Sequence, residues 1–300
     1  MRELHLRNLI AVVEAGSVRG AARRLGISEA AVSKNLSALE RAVGLPLLIR
    51  TSRGAEPTEH GRLVLRRARV IDAELRKLDE EVAALAGAGG GGRVAIAVSS
   101  TAEALLMPRA VMKFHAARPT VGIAIMSGPP ATTVAALREG KVDFAIGPAP
   151  PSVQGPDIQA ERLISTDMVV VARTGHPLAQ CRDLAILARC EWVVGARQAE
   201  IDSALEQAFA AHGLAPPTFP VQRDSFNALL HLLLQSDLLA AASKPTVDPF
   251  VALGMLVYVP APLKLPPMVQ CLITATSRPL SAPALALSEE FRRASRAHRR

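Results

Sequence analysis

The sequence predicts an α/β protein led by a separate all-α block, and three observations predict it. Residues 93–275 alternate short apolar runs of β type with helical runs. Residues 58–86 carry one long periodic helix, followed by GAGGGG at 87–92. Residues 1–57 are helix-rich, basic and punctuated by single glycines. At 300 residues the chain is long enough for two or three domains with a sizeable core. Hydrophobic residues are 49% and charged ones 21%, a balance that excludes a disordered chain. Aromatics are only 3%, so the core must be built from Ala, Val, Leu and Ile.

Residues 1–70 hold 13 Lys+Arg against six Asp+Glu, and most of the formal charge of +8 comes from there. The rest of the chain is near neutral, with five arginines in its final nine residues (Arg292, Arg293, Arg296, Arg299, Arg300). A basic block on a neutral body suits a polyanionic partner for that block, although a solvated basic face has the same composition.

Within the block, SVRGAARRLGISEAAVSKNLSALE (17–40) reads as two helices around a glycine turn. A helix-turn-helix needs a small residue where the helices touch, a Gly of positive φ at the turn and a branched residue anchoring the second helix. Ala22, Gly26 and Val32 meet these needs, and Ser28 is a good N-cap for the restart. The second helix would be a recognition helix, presenting Ser28, Glu29, Ala31, Ser33, Lys34 and Asn35 to a major groove. Arg19 and Arg23 on the first helix are placed for phosphates. The following GLPLLIRTSRGAEPTEHG reads as a short wing carrying Arg50 and Arg53 before a Gly54 turn. An ordinary helical hairpin without a nucleic-acid role is the competing reading.

The long helix over 58–86 starts at a Thr58 cap, with Gly61 as a weak point just inside it. Val64, Ala68, Ile71, Leu75, Leu78, Val82 and Leu85 are spaced alternately four and three apart. That is a heptad seam, read as a dimerising coiled coil; the alternative is a helix lying on its own domain. The glycine-rich joint behind it is a flexible connector.

The body reads as strands at 93–99, 121–127, 142–148, 167–173, 191–196, 219–222, 237–243, 255–260 and 268–275. Helices fall at 102–117, 131–139, 183–189, 199–212, 225–234 and 246–253, with an amphipathic one from about 283. Unbroken apolar strands signal parallel sheets covered on both faces, whose ligands bind at the carboxyl ends of the strands.

The run LRNLIAVVEAGSVRGAARRLGISEAAVSKNLSALERAVGLPLLIRTSRGAEPTEHG resembles the DNA-binding domain of the LysR-type transcriptional regulators. The resemblance is strong over residues 4–61 and holds at the level of pattern beyond. It implies a winged helix-turn-helix at 1–57, a linker and dimerisation helix with its hinge at 58–92, and an effector-binding domain at 93–300. That domain would be periplasmic-binding-protein-like, with one α/β subdomain at about 93–162 and 268–300 and a second at about 163–267. The resemblance further implies a homodimer or homotetramer on an interrupted inverted repeat of double-stranded DNA, with a small co-inducer altering the bend of that DNA. Three positions depart from the family pattern: Glu29-Ala30 replaces a Gln-Pro pair, Lys34-Asn35 an Arg-Gln pair, and Leu48 a wing Phe.

Strand ends then give the candidate effector residues. Ser99, Ser100 and Thr101 follow the first strand and match the family's first co-inducer loop. Ser127 and Gly128 follow the second, and Gly147 and Pro148 the third. Arg197 and Gln198 follow EWVVGA, and Arg223 and Ser225 follow FPVQ. A helix N-terminus with capping hydroxyls, facing Arg197 or Arg223, suits an anionic effector; either Arg has a surface or inter-subunit role as its alternative.

Other classes fit less well. The sequence carries no G-x-S-x-G, H-E-x-x-H, P-loop or G-x-G-x-x-G, so no enzyme chemistry is expected and no cofactor is implied. Cys181, Cys190 and Cys271 lack metal-ligand spacing and read as free thiols, and no metal is expected. His115 and His176 read as structural. No apolar run reaches the ~18–20 residues that span a bilayer, and the N-terminus MRELHLRNLI has no signal-peptide h-region, so a cytoplasmic protein is expected.

Overall fold

The computed structural model describes residues 2–51, 54–85, 92–195 and 199–298, apart from the side chains at 50, 51, 80, 81, 83–85 and 199–203. The chain forms two compact units, one of residues 1–92 and 138–142 and one of residues 93–137 and 143–300.

The first unit is built from α1 (Glu3–Ala15), α2 (Val18–Leu25), α3 (Glu29–Val43), the hairpin β1 (Leu48–Thr51) and β2 (Gly54–Pro57), and α4 (Glu59–Leu85). Ser17 caps α2 by accepting from the Gly20 N–H at 3.0 Å, and Ser28 caps α3 by accepting from the Ala31 N–H at 3.2 Å. Between them Gly26 turns the chain at φ 66°, a left-handed conformation that a Cβ would strain. Leu9, Val12, Ala21, Val32, Leu36, Leu39 and Leu47 fill the core beneath. The hairpin is fastened twice: Ala55 N–H donates to the Gly16 carbonyl (2.8 Å), and Glu40 Oε1 accepts from Leu47 N–H (2.8 Å).

The long helix begins in the second of its two readings, as a helix lying on its own unit. Its first turns lie on their own unit: Val64, Leu65 and Ala68 pack into the core, and Asp72 accepts from Arg7 at 3.0 Å. Ala68 is only 1% exposed, so the N-terminal part of the expected seam faces inward rather than toward a partner. Farther along, Ile71, Leu78 and Val82 are exposed and Leu75 is half-buried. Gly61 is no weak point. An added Cβ there would overlap the Leu47 carbonyl, so glycine lets α4 start against the strand lead-in.

The second unit contains β3 (Arg93–Val98), α5 (Ser100–Leu105), α6 (Met107–Ala117), β4 (Gly122–Ser127), α7 (Pro130–Arg138), β5 (Phe144–Gly147) and β6 (Ile158–Thr166). There follow β7 (Met168–Arg173), α8 (Leu184–Leu187), β8 (Glu191–Gly195), α9 (Ala199–Ala210), β9 (Thr218–Arg223) and α10 (Phe226–Gln235). The chain ends with β10 (Ala240–Ser243), α11 (Lys244–Ala252), β11 (Leu256–Tyr258), β12 (Met268–Ala275) and α12 (Ala282–His298).

A five-stranded sheet has the order β4-β3-β5-β12-β6, a three-stranded sheet β10-β7-β11, and β8 pairs with β9. The expectation of parallel sheets is only partly met. β3 is parallel to β4 and β5, but β12 runs antiparallel to β5 and β6, and β7 antiparallel to β10 and β11. The apolar run of β7 reflects burial on both faces: Val171 joins one core cluster, while Val170 and Ala172 join another. The core of the larger sheet lies under α6 and α12, where Phe144 meets Phe291 edge to face at 5.9 Å. In the other half Trp192 is fully buried, with its indole N–H donating to the Leu187 carbonyl at 3.0 Å.

Two elements differ from the sequence reading. The helix expected at 102–117 starts at Ser100 and breaks at Leu106 into α5 and α6. Strand β6 was not anticipated, because a bulge opposite Gln270/Cys271 breaks its alternation and its middle carries Glu161 and Arg162.

Candidate nucleic-acid interface and ligand cleft

On the first unit, Arg19 and Arg23 are exposed on α2, and Ser28, Glu29 and Lys34 are exposed at and just after the start of α3. Ser33 and Asn35 are half-buried on the same helix. Arg24 is spent on Glu14 at 2.7 Å, whereas Arg19, Arg23 and Lys34 form no ion pair among the described residues. These three cations therefore face solvent uncompensated beside a capped helix, which is the arrangement a phosphate backbone meets. Ser28 is occupied as the cap, so it positions α3, and Glu29 sits in its first turn, where a negative charge favours the helix dipole. Arg50 lies on β1 with its side chain outside the described residues, and Arg53 lies outside them altogether.

In the second unit a cleft of about 370 Å³ opens at the carboxyl ends of β3, β4, β5, β9 and β10. Of the candidate effector residues it brings together Ser99, Ser100, Thr101, Ser127, Gly128, Pro148, Arg223 and Ser225. Gly147 does not line it. It lies behind, where a Cβ would touch the Ser99 Cβ at 3.4 Å. Arg197 and Gln198 lie outside the described residues.

Local bonding assigns these side chains different tasks. Ser99 is buried, accepts from the Ala102 N–H (3.2 Å) as cap of α5 and donates to Gln270 Oε1 (2.7 Å), so its hydroxyl proton is already used. Thr101 Oγ1 lies 3.4 Å from Thr246 Oγ1 across the cleft. Ser225 caps α10 through the Ala228 N–H at 3.1 Å. Arg223 is half-buried and donates to the Ser225 carbonyl at 3.5 Å. Ser127 donates to the Glu103 carboxylate.

Two points modify the expectation of an anion site. Helix α5 spans only Ser100–Leu105, so its dipole is that of under two turns. Among the described lining residues, Arg223 is the cation and Glu103 and Asp224 are carboxylates. Sequence reading missed Glu103, Ser243 and Thr246, and also Met168 and Met268. The strand-end rule applied to DLLAAAS would have found Ser243 and Thr246. The methionines begin β7 and β12, so a rule built on strand carboxyl ends passes over them.

The remaining candidates are structural or unpaired. His176 accepts from the Leu178 N–H at 2.9 Å, and its other ring nitrogen lies 3.0 Å from the Asp237 carbonyl. The three cysteines are free. Among the described residues no helix is long and apolar enough to cross a membrane.

A capped helix-turn-helix with a wing, and a body holding a polar cleft, are the two parts of a DNA-binding regulator with a ligand-binding type of domain. Residues 4–62 match the bacterial regulatory helix-turn-helix proteins of the lysR family, and residues 87–296 match the LysR substrate binding domain. The chain belongs to the LysR-type transcriptional regulators, a family of regulators rather than enzymes. It is similar to the HTH-type transcriptional regulator GalR of Pseudomonas putida, 33% identical over 259 residues, which are 86% of this chain and 65% of GalR. GbpR of Azospirillum brasilense is 30% identical over 260 residues, 85% of this chain and 75% of GbpR. The fold matches the crystal structure of CbnR, a LysR family transcriptional regulator, with a TM-score of 0.71 at 21% identity over 98% of this chain and 99% of CbnR.

Proposed function

We propose that this chain binds an interrupted inverted repeat of double-stranded DNA as a homodimer or homotetramer in the cytoplasm, and that a small polar effector in the cleft modulates that binding. In this reading residues 1–57 read DNA, residues 58–92 link and pair the readers, and residues 93–300 bind the effector. The observation that carries it is the set of unpaired cations Arg19, Arg23 and Lys34 around the Gly26 turn. Ser28, Glu29, Ser33 and Asn35 complete the reading face, and Arg50 and Arg53 extend it along the wing. The solved relative CbnR has been crystallised with its target DNA, which supports the same mode here. The exposed Ile71, Leu78 and Val82, with Leu75 and Leu85, supply the pairing surface.

The cleft's charge narrows the effector. An anionic group suits Arg223, while the carboxylate of Glu103 suits a hydrogen-bond donor on the same molecule. Ser99, through its bond to Gln270, holds the loop of Ser100 and Thr101 in place. Effector binding shifts DNA affinity only as far as it favours one state of the body over another.

A footprint on the DNA upstream of the protein's own gene, and on a random genomic library, tests the reading. A protected inverted repeat that is lost in Arg23→Ala/Lys34→Ala is expected. Absence of protected sites in both pools refutes it.

A further inference from the structure

A second cavity among the described residues is larger than the cleft. It measures about 960 Å³ and lies on the β6–β12 edge of the five-stranded sheet. Ser99, Thr101 and Arg223 are not part of it. Its floor is the sheet face bearing Ile158, Ala160 and Arg162 on β6, with Val269 and Cys271 on β12. The β6 bulge sets this floor. By absorbing Leu163 it brings Arg162 directly opposite Cys271, on the same face. The walls are proline-rich, with Pro148 and Pro150 on one side and Pro266 and Pro267 on the other. Proline has no N–H, so these walls offer no backbone donors to a ligand at those positions.

Against this apolar lining stands one guanidinium. The exposed Arg162 side chain makes no ion pair and no hydrogen bond among the described residues. Its neighbour Glu161 is already spent on Arg292 at 2.9 Å. Arg162 and Cys271 stand opposite each other in the ladder and both line the cavity; burial pushes the Cys271 thiol up and the Arg162 charge draws it back down. One unpaired cation that reaches solvent, in a mainly apolar cavity that Ser152 and Gln154 also line, matches a ligand with one anionic group and an apolar body. A planar carboxylate takes both N–H donors of a guanidinium fork, and the volume is that of a small-molecule site. A phosphate or dicarboxylate fits worse, since the lining holds no second cation among the described residues.

We propose that this cavity is a second ligand site, separate from the cleft, that takes a small amphiphilic monocarboxylate with its carboxylate on Arg162 and its apolar body against the proline walls. The two sites are physically joined. Met168 and Met268 line both, and so do Pro130 and Pro148. A ligand that fixes these side chains in one site alters the wall of the other, so the two occupancies are coupled, and by linkage the coupling is reciprocal.

Octanoate is the probe, titrated calorimetrically into the full-length protein, with maleimide alkylation of Cys271 followed in a Cys181→Ser/Cys190→Ser background. One saturable site per chain is expected, with Cys271 alkylation slowed several-fold at saturation. Ala160→Trp fills the floor from an exposed position and abolishes both signals. Arg162→Gln weakens binding about tenfold or more. Arg223→Gln, in the cleft, leaves octanoate binding in place. An unchanged far-UV circular dichroism spectrum and thermal transition of the Ala160→Trp and Arg162→Gln proteins show that their second unit is folded. The proposal is overturned by absence of saturable binding up to about 10 mM octanoate. It is equally overturned by binding that survives Ala160→Trp and Arg162→Gln, or that is lost in Arg223→Gln instead.

Discussion

Replacing Gly61 by alanine goes against helix propensity, and the outcome follows from one contact. An ideal Cβ at Gly61 overlaps the carbonyl oxygen of Leu47, a backbone atom with no rotamer to turn away. That oxygen also accepts the Thr58 N–H at 3.0 Å, and Thr58 caps α4 by accepting the Gly61 N–H at 2.9 Å. Relieving the overlap therefore moves the strand lead-in, the cap or both. Overpacking of this kind costs about 1–3 kcal/mol, and loss of the bond to Leu47 about 1 kcal/mol more. Alanine returns at most about 1 kcal/mol of propensity. The net expectation is destabilisation of the first unit by about 1–3 kcal/mol. Urea unfolding with two probes reads this cleanly. Far-UV circular dichroism follows the helices of both units and fluorescence of Trp192 only the second, so the part of the dichroism change that the tryptophan does not follow reports the first. In Gly61→Ala that part moves to lower urea by about 0.5–2 M, and the tryptophan transition stays in place. A variant as stable as the parent, or more so, refutes the reasoning, because propensity would then outweigh the contact.

Other outcomes follow from the same kind of accounting. Ser99→Ala removes the cap of α5 and leaves Gln270 Oε1 buried without its donor, so thermal unfolding of the second unit falls by an amount worth about 2–4 kcal/mol, and Ser99→Thr recovers most of it. Sedimentation of Leu78→Glu/Val82→Glu shows a shift toward monomer if the exposed turns of α4 pair two chains, whereas Ala68→Glu instead unfolds the first unit, because Ala68 faces its own core. Alkylation rates rank the thiols: Cys271, pushed up chiefly by burial, reacts more slowly at neutral pH than Cys181 and speeds up as pH rises.

Much of this was legible in the sequence where local chemistry decides structure. Gly26 and Ser28 specify turn and restart without help from the rest of the chain, so the helix-turn-helix could be drawn from them, whereas the Ser17 cap of α2 emerged only in the structure. Strand-end serines and Arg223 were found because a sheet of this topology presents its carboxyl ends to ligand. Long-range contacts were not legible. Gly61 reads as a poor helix residue until the Leu47 carbonyl stands against it. Strand β6 was invisible because the bulge erases its alternation, and the cavity it floors was hidden with it. Gln270 behind Ser99 lies 171 residues away in the chain, and no local pattern announces that pair.

The central claim is that the cations left unpaired around the Gly26 turn neutralise DNA phosphates. The most direct test is the salt dependence of affinity for the footprinted site, measured for the parent and for Arg19→Ala, Arg23→Ala and Lys34→Ala. Affinity falls steeply with salt, and each variant that removes a phosphate contact lowers the slope by about 1 per reader. Arg24→Ala, whose guanidinium is held by Glu14, should leave the slope nearly unchanged. A slope indifferent to Arg19, Arg23 and Lys34, or lowered equally by Arg24→Ala, would contradict the claim.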